Sequence, residues 1–123
     1  MKKTSLQTLS VAELVKHFAA VELAQFEAEL RDDIRKQNKC VTQAMAIADE
    51  LKTRPGDQRS ALLALYEHSN VQVRLMAAKL TLAVAPAAAR EMIEAIAGSK
   101  KYPQAMDAGM CLSALDQGVF KPT

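Results

Sequence analysis

Residues 70–97 read NVQVRLMAAKLTLAVAPAAAREMIEAIA, and this stretch decides the fold. Wound at about 100° per residue, residues 70–85 put Val71, Leu75, Ala78 and Leu82 on one face and Val73, Ala77, Leu80 and Val84 on roughly the opposite one. A helix apolar on two sides belongs in the interior of a layered helical structure. Asn70 supplies its N-cap. Pro86, whose missing N–H is no loss in a first turn, opens a second helix that turns Ala89, Met92, Ile93 and Ile96 towards the first and Arg90, Glu91 and Glu94 away. Gly98 ends it.

Upstream, Ser10-Val11-Ala12-Glu13 has the form of a capping box, with Leu9 and Leu14 placed as a hydrophobic staple, so a helix starts at Val11. Its stripe of Val11, Leu14, Val15 and Phe18 drifts after Ala20 to Leu23, Phe26 and Leu30, which predicts a bend or break near residues 21–25 and two helices in place of one. A longer helix is predicted over residues 27–52, because Leu30, Ile34, Gln37, Val41, Ala44, Ala48 and Leu51 alternate spacings of four and three. At ~1.5 Å per residue it would measure roughly 35–40 Å. Such a helix either lies diagonally across shorter ones or pairs with a second copy, so a homodimer through residues 27–52 is one expectation. Pro55 and Gly56 end it, Asp57 caps a short helix from Gln58 to about residue 67, and His68 and Ser69 connect to Asn70.

Downstream, Ser99-Lys100-Lys101-Tyr102 reads as an exposed loop, and Pro103 starts a last helix that buries Ala105, Ala108, Gly109, Leu112 and Leu115. A glycine inside a helix is costly, so Gly109 implies a neighbouring backbone that crosses closely. Gly118 stops the helix and residues 119–123 form a tail, as residues 1–9 form a loose lead-in.

A chain of 123 residues is long enough for one helical domain with a core of its own, and residues 1–123 are read as that domain. Lys and Arg total 16 against 14 for Asp and Glu, and both signs are spread evenly, 9 and 8 over residues 1–56 and 7 and 6 over 57–123. That pattern lacks the concentrated basic face of a nucleic-acid binder. Cys40 and Cys111 stand far apart with no CxxC spacing, which reads as two buried thiols in a reducing compartment. Gln7, Glu13 and Lys16 interrupt any apolar segment after the opening MKKTS, and no run reaches the ~18–20 apolar residues of a membrane span. The expectation is a soluble cytoplasmic protein with neither nucleic acid nor membrane as partner. Abundant alanine and only 4% aromatics favour closely packed helices.

Asn70-Val71-Gln72-Val73-Arg74-Leu75-Met76-Ala77-Ala78-Lys79-Leu80, with 86–97 behind it, is similar to a HEAT repeat, whose first helix commonly reads D-P-x-V-R-x-x-A-A-x-A-L. Asn70 stands at the aspartate cap, Val71 replaces the proline, and Val73, Arg74, Ala77, Ala78 and Leu80 match or nearly match. More widely, LKTRPGDQRSALLALYEHSNVQVRLMAAK and DAGMCLSALDQG resemble a family of short, solitary HEAT-like bacterial proteins carried as a domain of unknown function. The resemblance implies an all-α, α-α superhelix: a short HEAT/armadillo-like solenoid of about three helical hairpins, with 70–97 as its core unit and atypical terminal units. It lends no activity.

Chemistry is sparse. Arg74 shares with Thr81 a narrow polar strip between the two apolar faces, so its guanidinium must snorkel outward or find a carboxylate on a neighbouring helix. A structural role for it ranks ahead of ligand binding, as for the matching arginine of HEAT repeats. Glu22, Glu27, Glu29, Asp32 and Asp33 precede Arg35, Lys36 and Lys39, but a di-iron bundle needs Glu-x-x-His pairs and the chain has none. His17 and His68 lie on different elements without partners, and serine-nucleophile, phosphate-loop and dinucleotide motifs are missing. No catalytic, metal or cofactor residue is assigned, no cofactor is implied, and the reading leans against an enzyme. The candidate interaction residues are Arg74, Lys79, Lys100, Lys101 and Tyr102, the last three as a cation–aromatic patch for an acidic partner. The expected function is a non-catalytic protein–protein interaction module, such as a bacterial immunity or adaptor protein. The rival is a small-molecule binder or cryptic enzyme with a pocket lined by Met45, Met76 and Tyr66.

Overall fold

The computed structural model describes residues 5–123, and every regular element among them is helical, so the protein is all-α. The chain forms two compact units, one ending at Ala61 and the other spanning Leu62–Thr123.

The first unit holds a 3-10 turn, Leu6–Thr8, and two helices, α1 (Val11–Leu30) and α2 (Ile34–Thr53). The capping box forms as read: Ser10 Oγ accepts from the Glu13 amide at 3.1 Å and Glu13 Oε1 accepts from the Ser10 amide at 2.8 Å. The break expected near 21–25 is absent, and α1 runs unbroken for 20 residues. Leu14, Phe18, Val21 and Ala28 are buried, and so is Ala19, which lies well round the helix from Leu14 and Val21. The drifting stripe therefore marks one helix with a broad apolar surface.

The helix expected over 27–52 also needs correction, because the chain reverses at residues 31–33. Arg31 ends α1, its amide donating to the Glu27 and Ala28 carbonyls at 3.2 Å, and the Asp33 amide returns to Ala28 O at 2.9 Å. Asp32 takes a left-handed φ of 53°, and Asp33 Oδ1 caps α2 by accepting from the Lys36 amide at 3.1 Å. Aspartate tolerates both tasks because its short carboxylate bonds locally to the backbone. Of the seven-residue seam, Ala44, Ala48 and Leu51 are buried together with Cys40 and Ile47, while Leu30 is 72% and Ile34 65% exposed. The face that packs against α1 is rotated from the one that the spacing picked out.

Arg54 ties the lead-in down. Its guanidinium donates to the Leu6 and Leu9 carbonyls at 3.1 and 2.7 Å and to Glu50 at 2.9 Å. Residues 1–4 of that lead-in lie outside the described residues. Beyond Pro55, Gly56 and Asp57 both have positive φ, and the Asp57 carboxylate grips the Arg59 guanidinium at 2.9 and 2.6 Å. Those hydrogen bonds to Arg59 hold the Asp57 carboxyl below its ordinary pKa. The short helix expected there is a 3-10 run, Gln58–Glu67, unusually long for that geometry.

In the second unit, α3 (Val71–Thr81), α4 (Pro86–Ala97) and α5 (Gln104–Asp116) pack in sequence, α3 on α4 and α4 on α5, with α3 also touching α5. Asn70 Oδ1 caps α3 by accepting from the Gln72 and Val73 amides at 2.9 and 3.2 Å. Both apolar faces of α3 are covered along most of their length: Val73, Leu75, Ala77 and Ala78 have no exposed surface and Val71 and Leu82 almost none, while Leu80 and Val84 are half-buried. The helix stops at Thr81, whose hydroxyl lies 2.9 and 3.1 Å from the Ala77 and Ala78 carbonyls and is also hydrogen bonded to the Tyr66 hydroxyl. Pro86 opens α4, and Ala89, Ile93 and Ile96 are buried. On α5, Ala105, Ala108 and Cys111 are buried, and Gln104 meets Gln72 through a buried amide pair at 3.1 Å.

The glycines of α5 differ in kind. Gly118 has a φ of 71°, its amide bonds Leu115 O, and the Val119 amide reaches back to Ala114 O, which makes a Schellman close. Gly109 does not mark the close backbone crossing expected, since a Cβ built there meets nothing within 4 Å. In the single chain, at concentrations low enough to exclude association, Gly109→Ala should therefore raise stability by about 0.5–1 kcal/mol, whereas Gly118→Ala should lower it by about 1 kcal/mol. Urea denaturation of the two variants reads out the opposite signs.

Candidate functional site

Of the two expectations for Arg74, snorkelling outward or meeting a carboxylate of a neighbouring helix, neither describes its partners fully: it bonds backbone carbonyls. Its Nη1 donates to His68 O at 2.8 Å and Ser69 O at 3.0 Å, stitching the connector to α3. The same connector is tied a second time, because His68 Nδ1 accepts from the Asn70 amide at 3.0 Å. Lys79 pairs with Asp107 of α5. Lys100, Lys101 and Tyr102 sit together in the exposed loop that leads into α5, Lys100 with a φ of 62°. Three of the five candidates thus share one exposed loop, and the other two already hold partners within the second unit.

Sequence reasoning missed two sets of side chains. On α5, Met106 and Met110 are 61% and 67% exposed, close behind Tyr102 at 66%. Their spacing of four is the signal that the sequence carries, but methionine serves in cores as readily as on contact surfaces. On the first unit, Ile34, Val41 and Met45 leave an apolar strip in solvent along α2, and Leu30 is exposed at the end of α1. The spacing of Leu30, Ile34 and Val41 reads as a core seam, and Met45 is expected only as pocket lining.

On another flank of α2, an open cavity of about 350 Å³ is lined by Ala24 of α1 and by Arg35, Lys36, Lys39, Cys40 and Gln43 of α2, with Asp33. Burial pushes the Cys40 thiol above its ordinary pKa, against the opposing pull of Lys36. Cys111 is raised by the same cause, with Lys79 opposing. Neither cysteine is in a disulfide. Among the described residues no group of His, Cys, Asp and Glu is placed to hold a metal ion, and no helix is long and apolar enough to cross a membrane.

The fold and its surfaces define an all-helical protein whose unexplained features are apolar side chains left in water and a cavity lined by cations. The chain belongs to the family described as Domain of unknown function (DUF2019), whose model matches residues 12–116. It is similar along its length to a solved protein, the crystal structure of the protein RPA1889 from Rhodopseudomonas palustris CGA009. The two are 55% identical, the match covers 98% of this chain and 100% of that one, and the TM-score is 0.95. No curated protein matches the chain.

Replacing Arg74 by methionine removes two charge-assisted bonds and leaves the His68 and Ser69 carbonyls to water. A loss of about 1–2 kcal/mol is expected in chemical denaturation, with Arg74→Lys recovering part of it.

The thiols give a pH test. Their folded-state pKa values lie above those of the unfolded chain, so above the ordinary thiol range, about 8.5, the unfolded chain gives up these protons first and the fold loses stability as pH rises. Denaturation midpoints should fall on the alkaline side of that value, and both thiols should react slowly with a chromogenic disulfide until the protein is unfolded.

Proposed function

We propose that the chain is a non-catalytic protein-binding module on a HEAT-like scaffold, an armadillo-type α-α superhelix of about three helical hairpins working in the bacterial cytoplasm. Support for the scaffold comes from the capped V-R-x-x-A-A helix, in which Arg74 is spent on backbone carbonyls as a repeat arginine would be. Fold alone does not choose a function. The observation that carries the reading is the strip on α2, where Ile34 is 65% exposed and Val41 and Met45 are each 45% exposed. Arg35, Lys36 and Lys39 line the cavity on another flank of the same helix. Apolar anchors on a helix that also carries cations suit a partner that brings apolar side chains to the strip, with the charges steering the encounter. An immunity or adaptor protein needs such a surface and no chemistry.

A photo-cross-linking residue at Val41, introduced in the native host, should trap one partner that re-forms a stoichiometric complex from purified components. Ile34→Glu combined with Val41→Glu should weaken that complex by about tenfold or more while leaving the circular dichroism unchanged, because both positions face water. A complex indifferent to the two glutamates would sink the reading.

One observation favours a second reading, a small-molecule binder: the cavity beside α2 has three cations around it, which suits an anionic ligand. Calorimetric titration with inorganic phosphate and simple dicarboxylates tests it, with Arg35→Ala and Lys39→Ala expected to abolish any saturable heat.

A further inference from the structure

The outer face of α5 is made of two neighbouring rows. One is large and apolar: Met106 and Met110, a turn apart and mostly in solvent, with exposed Tyr102 just ahead of the helix. The other is small: Gly109 and Ser113, also a turn apart. A helix-interior glycine is unfavourable, and nothing within 4 Å of the chain uses the space that Gly109 leaves. The charges at the two ends of this face differ in sign. Lys100 and Lys101 are exposed before the helix, and Asp116 closes it, held by Arg90 at 2.9 Å yet still largely in solvent.

Going beyond the partner surface on α2, we infer that α5 is the interface of a homodimer, in which two copies of this helix cross antiparallel on their methionine and glycine–serine rows. A two-fold axis between Gly109 and Met110 sets Met110 of one copy level with Gly109 of the second, and Met106 level with its Ser113. Every layer then holds one large and one small side chain, and the symmetry repeats each layer. The helices approach closely where Gly109 has no Cβ, and the methionines, being flexible, fill what remains. At the ends, Lys100 and Lys101 come towards Asp116 of the second copy, and the helix dipoles oppose. A parallel pair would instead set lysine against lysine and aspartate against aspartate. The occupant is a second copy because this one face carries both halves of its own complement, large with small and basic with acidic.

Sedimentation of the full chain at micromolar concentrations should show the dimer mass. Gly109→Leu puts a side chain into space that is open in the single chain but filled in the dimer. It should keep the helical circular dichroism and raise the dimer dissociation constant by at least about tenfold, as should Met106→Glu with Met110→Glu. Register is read by disulfide trapping: Met106→Cys chains mixed with Ser113→Cys chains should cross-link far better than either variant alone. A monomer mass throughout overturns the proposal, and so does a dimer that survives both α5 variants or one that Ile34→Glu abolishes, which would assign the contact to α2. Efficient cross-linking of Met106→Cys with itself would overturn the antiparallel register.

Discussion

Burial of α3 on both sides is the constraint that organises the second unit. A helix with one apolar stripe can rest at a surface, but Val73 and Ala77 on one side and Leu75 and Ala78 on the other all have no exposed area. Two covered faces leave little room for polar groups, and those present are tied to the backbone or to each other. Thr81 turns its hydroxyl back onto the Ala77 and Ala78 carbonyls and meets Tyr66, Gln72 meets the Gln104 amide, and Arg74 escapes along the polar strip to the connector carbonyls. Each arrangement satisfies a buried or half-buried polar group that would otherwise weaken the core.

The first unit is governed by its chain reversal. Asp32 and Asp33 divide what periodicity joins: one takes the left-handed conformation and the other caps the next helix. Once α2 is restarted at Ile34, its register against α1 is free to differ from that of the seam running through Leu30. Cys40, Ala44, Ile47 and Leu51 become the packed row, and Leu30, Ile34 and Val41 are left in solvent. Spacing reports that apolar residues share a side of a helix, without reporting which side the neighbour takes.

The same distinction explains how much of the candidate surface was readable. The loop with Lys100, Lys101 and Tyr102 could be placed in water from its composition alone, and it is exposed. Met106 and Met110 could not, because methionine fills cores as readily as it lines contact surfaces. Gly109 was correctly singled out as needing a reason, yet the reason expected, a close crossing within the chain, is not there.

By itself the sequence determined the local events. Ser10 with Glu13, Asn70, Pro86 and Gly118 act within a turn or two of their own positions, so the start of α1, both ends of the central pair's join and the close of α5 follow from short-range hydrogen bonding and steric limits. The two-faced pattern of α3 likewise required burial whatever its neighbours were. Only the tertiary structure decided that α1 is one helix and which apolar rows of α2 and α5 stay uncovered. Those outcomes depend on which helix packs against which face, and packing is a non-directional sum over many weak contacts that no local residue pattern specifies.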